Sequence, residues 1–219
     1  MPITASSKGG DFEPIEAGVY VAVCYGVIDL GTQHNETFNQ DRRQVLIQWE
    51  LPEVRGEFER DGVMQDLPRA ISQRFTNSLS SLANLRKVLE SWRGKAFNQD
   101  ELGAFDVSKL IGACCQLSII HEPSKDGTRV YANISAVMAL PKGTTRPAME
   151  NPAAYFSFED QPIKIPDELP EWVTEKIQQS REWREWRELE AGADQSQGAD
   201  DAGFDQHGGG GDTEDDLPF

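Results

Sequence analysis

Five stretches of the chain alternate apolar and polar positions with the period of a half-buried strand. Residues 17–28 (AGVYVAVCYGVI) place Val19, Val21, Val23, Tyr25 and Val27 on one face. Residues 44–50 (QVLIQWE) place Val45, Ile47 and Trp49 together, and residues 70–76 (AISQRFT) place Ile71 and Phe75. Residues 115–121 (CQLSIIH) align Leu117 with Ile119, and residues 129–138 (RVYANISAVM) align Val130, Ala132, Ile134, Ala136 and Met138. Between the third and fourth stretches the period changes. Leu79, Leu82, Leu85, Val88, Leu89 and Trp92 form the apolar stripe of a helix over 79–92. Asn77 or Ser78 is placed to cap it, and Gly94 to end it. Asn98, with Glu101 three residues on, opens a second, short helix.

The predicted order is β-β-β-α-β-β, that of a five-stranded OB-fold barrel. The fold class expected is therefore mainly β with helices. Such barrels carry their ligand on strands two and three and on the 1–2 and 4–5 loops, here about 29–43 and 122–128. Residues 168–190 (ELPEWVTEKIQQSREWREWRELE) add a separate acidic helix with Pro170 in its first turn. Three of the five tryptophans lie on it, and its apolar positions read as a face packed on the barrel or on a second copy in a homodimer.

Composition sharpens this division. The net charge is -16, from 37 Asp+Glu against 21 Lys+Arg, and taken whole such a chain is repelled by polyanions. By segment, residues 1–68 have a balance of -7, residues 69–148 of +5, residues 149–191 of -6 and residues 192–219 of -8. A basic middle is flanked by acidic ends. The expected organisation is a flexible N-terminus (1–16), a barrel (17–145), an extension with the Trp-rich helix (146–191) and a disordered acidic tail (192–219). The longest apolar run, Gly18 to Ile28, is too short to cross a bilayer, and Met1 to Phe12 does not read as a secretory signal. Three cysteines, two of them adjacent at Cys114 and Cys115, do not make a disulfide framework. These features point to a reducing cytoplasm and no membrane partner.

The chain ends in Asp212-Thr213-Glu214-Asp215-Asp216-Leu217-Pro218-Phe219. This tip resembles the acidic C-terminal tip of bacterial single-stranded DNA-binding proteins. The stretches GVIDLGTQ (26–33), RRQVLIQWELP (42–52), RFTNSL to LESWRG (74–94) and YANISAVMALPKG (131–143) are similar to bacteriophage-encoded members of the same class. Residues 149–191 have no counterpart in the bacterial proteins. The resemblance implies a protein that coats single-stranded DNA during phage replication, recombination or repair, in the host cytoplasm. Its tip would recruit partners such as a polymerase, helicase-primase, recombinase or nuclease. In that role Asp212, Glu214, Asp215 and Asp216 steer encounter with basic partners. Leu217, Pro218 and Phe219 fill a pocket, and the terminal carboxylate pairs with a cation. The linker 192–211 spans about 25 Å root-mean-square, so the tip is also placed to compete with DNA for the chain's own basic groove.

Binding single strands without strong sequence preference requires cations for phosphates and polar or aromatic groups for bases. Residues opposite the apolar parity supply the strand candidates: Tyr20, Gln48, Arg74, Arg129 and Tyr131. His34, Phe38, Arg42 and Arg43 belong to the first loop, Lys125 to the last, and Arg69 borders the groove. Arg74, mid-strand on the expected binding face, is the strongest of these. Trp49 and Phe75 share the apolar parity and read as core before they read as stacking platforms.

No catalytic constellation emerges. His34, His121 and His207 are scattered, and Cys114 and Cys115 point to opposite faces of a strand. No Walker motif, zincin motif or nucleophile elbow occurs, so the chain reads as neither an enzyme nor a holder of metal or cofactor. Glu50, Glu53 and the acids through residue 66 read as a solvated loop. A strand-annealing or recombination-mediator protein is the alternative function. An acidic DNA mimic fits less well, because its acid would cover the folded body.

Overall fold

A computed structural model of the chain describes residues 13–36, 39–60 and 62–197. The expected flexible N-terminus is described only from residue 13, and the acidic tip lies outside the described residues, as does Phe38. Six strands form one sheet: β1 (Gly18–Asn35), β2 (Gln40–Arg60), β3 (Val63–Thr76), β4 (Cys114–Pro123), β5 (Val130–Met138) and β6 (Ala154–Phe156). Five of them run antiparallel in the order β3-β2-β1-β4-β5 and curl into a half-barrel, and β6 pairs parallel to β1. The helices are α1 (Asn84–Arg93), α2 (Gln99–Ala104), α3 (Glu171–Gln178) and α4 (Arg181–Gln197). α1 packs against both edge strands, β3 and β5, and so bridges the open side of the curl. No helix among the described residues is long and apolar enough to cross a membrane.

β1 is the hub. Its first part, Gly18 to Val23, pairs with β4, and from Val23 onward it pairs with β2. Register shifts between Cys24 and Gly26 and between Asp29 and Gly31 reverse which side faces inward. Ala22, Cys24 and Val27 therefore point to the main core, while Ile28 and Leu30 point outward. This overturns the expected face of the strand: Val19 is exposed and Tyr20 packs on the core. Simple alternation fails because both faces of β1 are covered, so both parities are apolar.

The main core joins Val45, Ile47, Trp49, Leu51 and Phe75 to Leu85, Leu89 and Trp92 of α1 and to Cys115, Leu117 and Ile119. Trp49 and Trp92 meet with ring centroids 5.7 Å apart, and Trp92 Nε1 donates to the Cys114 carbonyl at 2.9 Å. Both tryptophans are buried, which excludes Trp49 as a stacking platform.

A second core lies on the outer face of β1 and β2. Ile28, Leu30 and Leu46 are covered by Phe156, Phe158, Leu169, Val173 and Ile177. The extension is therefore a lid over the half-barrel, and its apolar helix face packs on the sheet. The single helix expected over 168–190 is broken in two at Ser180. The buried Ser180 hydroxyl donates to the Ile177 carbonyl at 2.6 Å and accepts from the Trp183 amide at 3.2 Å, which ends α3 and caps α4.

Three further differences follow from local chemistry. The acidic stretch after Glu50 is not a loop, because β2 and β3 continue as a hairpin arm paired from Arg55–Pro68 to Arg60–Val63. α1 begins at Asn84 rather than Leu79, and Leu82 stands 83% exposed before it. Serine side chains compete for the backbone there: the Ser80 amide donates to Ser78 Oγ at 3.3 Å. The second short helix opens as expected, with the reciprocal Asn98–Glu101 capping box.

Candidate nucleic-acid interface

The β2–β3 register sets the outer face of the two strands. Gln44 stands opposite Thr76, Leu46 opposite Arg74 and Gln48 opposite Ser72. The lid covers Leu46 and Gln48 but leaves Arg74 exposed. At this open end Arg42 and Arg74 line one groove of about 380 Å³, with Gln73, Ser78, Ser80 and Leu82 among its other walls. None of the residues lining it is Asp or Glu. Arg42 is exposed and donates only to the Gln40 side chain, at 2.7 Å. Neither arginine has a carboxylate partner among the described residues. Two uncompensated guanidinium groups beside hydroxyls and an exposed leucine are suited to a phosphate backbone that carries apolar base faces.

Other expected contacts are already engaged. Arg43 is half-buried: its Nη2 lies 2.5 Å from Asp29 Oδ2 and its Nε 3.3 Å from Asp29 Oδ1. The hydrogen bond to Asp29 raises its pKa further, and Glu159 stands 3.5 Å away. Its charge is neutralised inside the protein, which removes it from the free cations. His34 is exposed but pairs through Nδ1 with Asp41 at 2.7 Å, across the β1–β2 register. Arg69 donates to the Glu13 carbonyl. Tyr20 packs on the core, and its hydroxyl donates to the Glu16 carbonyl at 2.9 Å. Gln48 is only 5% exposed, because the lid lies over the face that parity assigned to solvent.

Lys125, Arg129 and Tyr131 form a separate group. Their hairpin lies beyond the start of β1, whereas Arg42 lies near its end, opposite Gln33. Asp126 holds the turn: its Oδ1 accepts from Ser124 Oγ at 2.5 Å, the Thr128 amide at 3.1 Å and Thr128 Oγ1 at 2.8 Å. Those bonds, from Ser124 first, hold its carboxyl at about 2. Lys125 and Arg129 are exposed, and Tyr131 is 50% exposed opposite Glu122.

Strand parity misses a third basic surface, built by loops. Arg93, Lys109 and Arg146 surround a recess of about 490 Å³ with Trp92 and Phe105 in its wall. The Arg93 guanidinium lies 4.3 Å from the Phe97 ring centroid and 5.6 Å from that of Phe105, and it pairs with Glu101. Lys109 and Arg146 are exposed. The one sequence signal for this surface was the +5 balance of residues 69–148, which names no residue.

No protein-family model and no curated protein sequence matches the chain.

Proposed function

We propose that the chain is an OB-type barrel that binds single-stranded DNA without strong sequence preference and recruits replication or recombination proteins through residues 212–219. The observation that carries this reading is the groove in which Arg42 and Arg74 meet with no carboxylate among its lining residues, in a chain of net charge -16. In so acidic a protein, an uncompensated pair of arginines marks a surface that meets a polyanion. The strand order and the helix bridging both edge strands support the barrel. The shallow relief of the groove suits a flexible strand, whose backbone follows the cations while its bases turn toward apolar walls.

The test is fluorescence anisotropy of a labelled dT oligomer against a labelled duplex, at two salt concentrations. Trp49 and Trp92 are buried, so intrinsic fluorescence is the poorer reporter. The full chain binds the oligomer more tightly than the duplex. Each phosphate contact contributes about -0.7 to the slope of log K against log salt. Arg42→Ala with Arg74→Ala weakens binding and reduces the slope by about 1.4. Deleting residues 212–219 tightens binding at low salt. Absence of single-strand binding, with the tip deleted as well, refutes the proposal.

A further inference from the structure

Between the outer face of the sheet and the lid lies a cleft of about 830 Å³, whose walls include Tyr25, Gln48, Tyr155 and Glu168. That volume falls within the range of small-ligand sites. Gln48 is 5% exposed, and its side-chain oxygen is buried without a hydrogen-bond partner. Buried amides are nearly always satisfied, and one left open on a cleft wall calls for an occupant. The carboxamide is also seated deliberately. It lies over Gly26, where an added Cβ would come to 2.4 Å from Oε1. Any side chain at position 26 would displace it, so the backbone of β1 makes room for this amide.

The lining selects the class of ligand. None of the residues lining the cleft is Lys or Arg, and Glu168 is among them, so it does not suit a phosphate. Two tyrosines and several prolines offer flat apolar surface, and Gln48 offers one donor and one acceptor side by side. A planar heterocycle with a hydrogen-bonding edge matches both features, as glutamine does when it pairs with the edge of adenine. The register connects the cleft to the groove. Gln48 stands opposite Ser72, two residues along β3 from Arg74. That is a separation of about 7 Å along the strand, near the span of one nucleotide.

We infer that the cleft is a nucleobase pocket, which takes an unstacked base from a strand whose phosphates lie on Arg42 and Arg74, with Gln48 reading the base edge. This rests on the single-strand reading above. It assigns the lid a function: residues 149–191 complete the pocket as well as cover the sheet.

The experiment compares a dA oligomer with an abasic oligomer of equal length, using the full chain, Gln48→Leu and Gln48→Met. Both variants replace the unpaired amide with an apolar group of similar size. Expected are an unchanged or raised Tm, a roughly tenfold loss of affinity for the dA oligomer and no change for the abasic one. Equal dA affinity in the variants and the full chain overturns the pocket while leaving the groove intact. A second measurement adds free deoxyadenosine and follows the Gln48 side-chain NH₂ signal by NMR. A shift on adding the nucleoside, together with the tenfold loss, supports the pocket and shows that it accepts a free base. A shift without any strand binding upholds the cleft as a base site and overturns its link to the groove. No response of that signal to either the dA oligomer or the nucleoside overturns the pocket altogether.

Discussion

Glu50 holds Asn151 at two points: its Oε2 accepts from the Asn151 amide at 2.8 Å and from Asn151 Nδ2 at 2.7 Å. Its other oxygen accepts from the Glu150 amide at 2.7 Å, and Glu50 is wholly buried. The lid is thus clamped to β2 just where it leaves the half-barrel. Arg55 adds an outer tie, with Nη1 2.8 Å from Glu150 Oε1.

Glu50→Ala therefore strips the acceptor from three donors in a part-buried site and costs about 3 kcal/mol. It also frees the start of the lid. Urea unfolding reads the first effect. Limited proteolysis reads the second, as cleavage near residue 150 that releases the lid and leaves the half-barrel whole. An unchanged midpoint and an uncut chain would show that the apolar contacts alone hold the lid.

The lid also separates what the sequence made legible from what it hid. β2, β4 and β5 follow from period-2 alternation because each has one covered face. β1 does not, because its two bulges and two covered faces remove the polar half of the pattern. Arg74 is legible for the complementary reason: it is a lone charge on the open side of an edge strand. Gln48 and Arg43 share an outward or loop position by sequence, and only tertiary contacts with residues 149–191 and with Asp29 withdraw them. The basic recess around Lys109 and Arg146 comes from segments without periodicity, so no pattern precedes it.

Arg43 and Arg74 make opposite predictions. Arg43→Ala leaves Asp29, whose side chain is 11% exposed, without its cation. The expected cost is about 1–2 kcal/mol of stability, discounted because Arg43 itself is 35% exposed. The salt slope of single-strand binding stays as it was. Arg74→Ala leaves the unfolding midpoint unchanged and lowers the slope by about 0.7. Thermal unfolding and anisotropy on the same two variants separate a structural arginine from a contacting one.

Acid acts through Glu101. Its carboxyl is held at about 2, first by the hydrogen bond from the Asn98 amide and then by Arg93. A carboxyl lowered on folding contributes stability that is present above its unfolded value of about 4.3. That contribution is lost as pH falls through the folded value. The link between α1 and α2 weakens between about pH 4.5 and pH 2. Urea midpoints at pH 5, 3.5 and 2.5 fall more steeply for the natural chain than for Glu101→Gln. Parallel curves would show that the cap and ion pair contribute nothing to folding.

The three thiols differ in access. Burial pushes the Cys24 thiol up to about 12 and the Cys115 thiol higher still, and both are fully enclosed. Cys114 is half-buried, with its sulfur 3.6 Å from the Pro147 carbonyl, and burial raises it less. Alkylation at pH 8 with iodoacetamide modifies at most Cys114 in the folded protein, and all three cysteines in urea. Mass spectrometry counts the adducts. Modification of Cys24 or Cys115 without denaturant would mean that the half-barrel opens readily on the side of β4.

Gly31 tests whether the lid depends on one backbone conformation. It sits at the second bulge of β1 with φ of +66°, a left-handed value that side chains disfavour. An added Cβ would meet Ser180 Cβ at 2.6 Å, and Ser180 is the buried residue that caps α4. Next to it, Glu182 accepts from the Thr32 amide and from Thr32 Oγ1, each at 2.6 Å, and pins α4 to the strand. Gly31→Ala therefore adds backbone strain of about 1 kcal/mol to a contact that has no room to give. Thr32→Val removes one hydrogen bond to Glu182 without strain, at about 1 kcal/mol. The expected order of unfolding midpoints is natural chain, then Thr32→Val, then Gly31→Ala. Hydrogen exchange in Gly31→Ala rises first at the α3–α4 junction and leaves the β4–β5 amides protected. Uniform loss of protection would show that the lid and the half-barrel unfold as one cooperative unit.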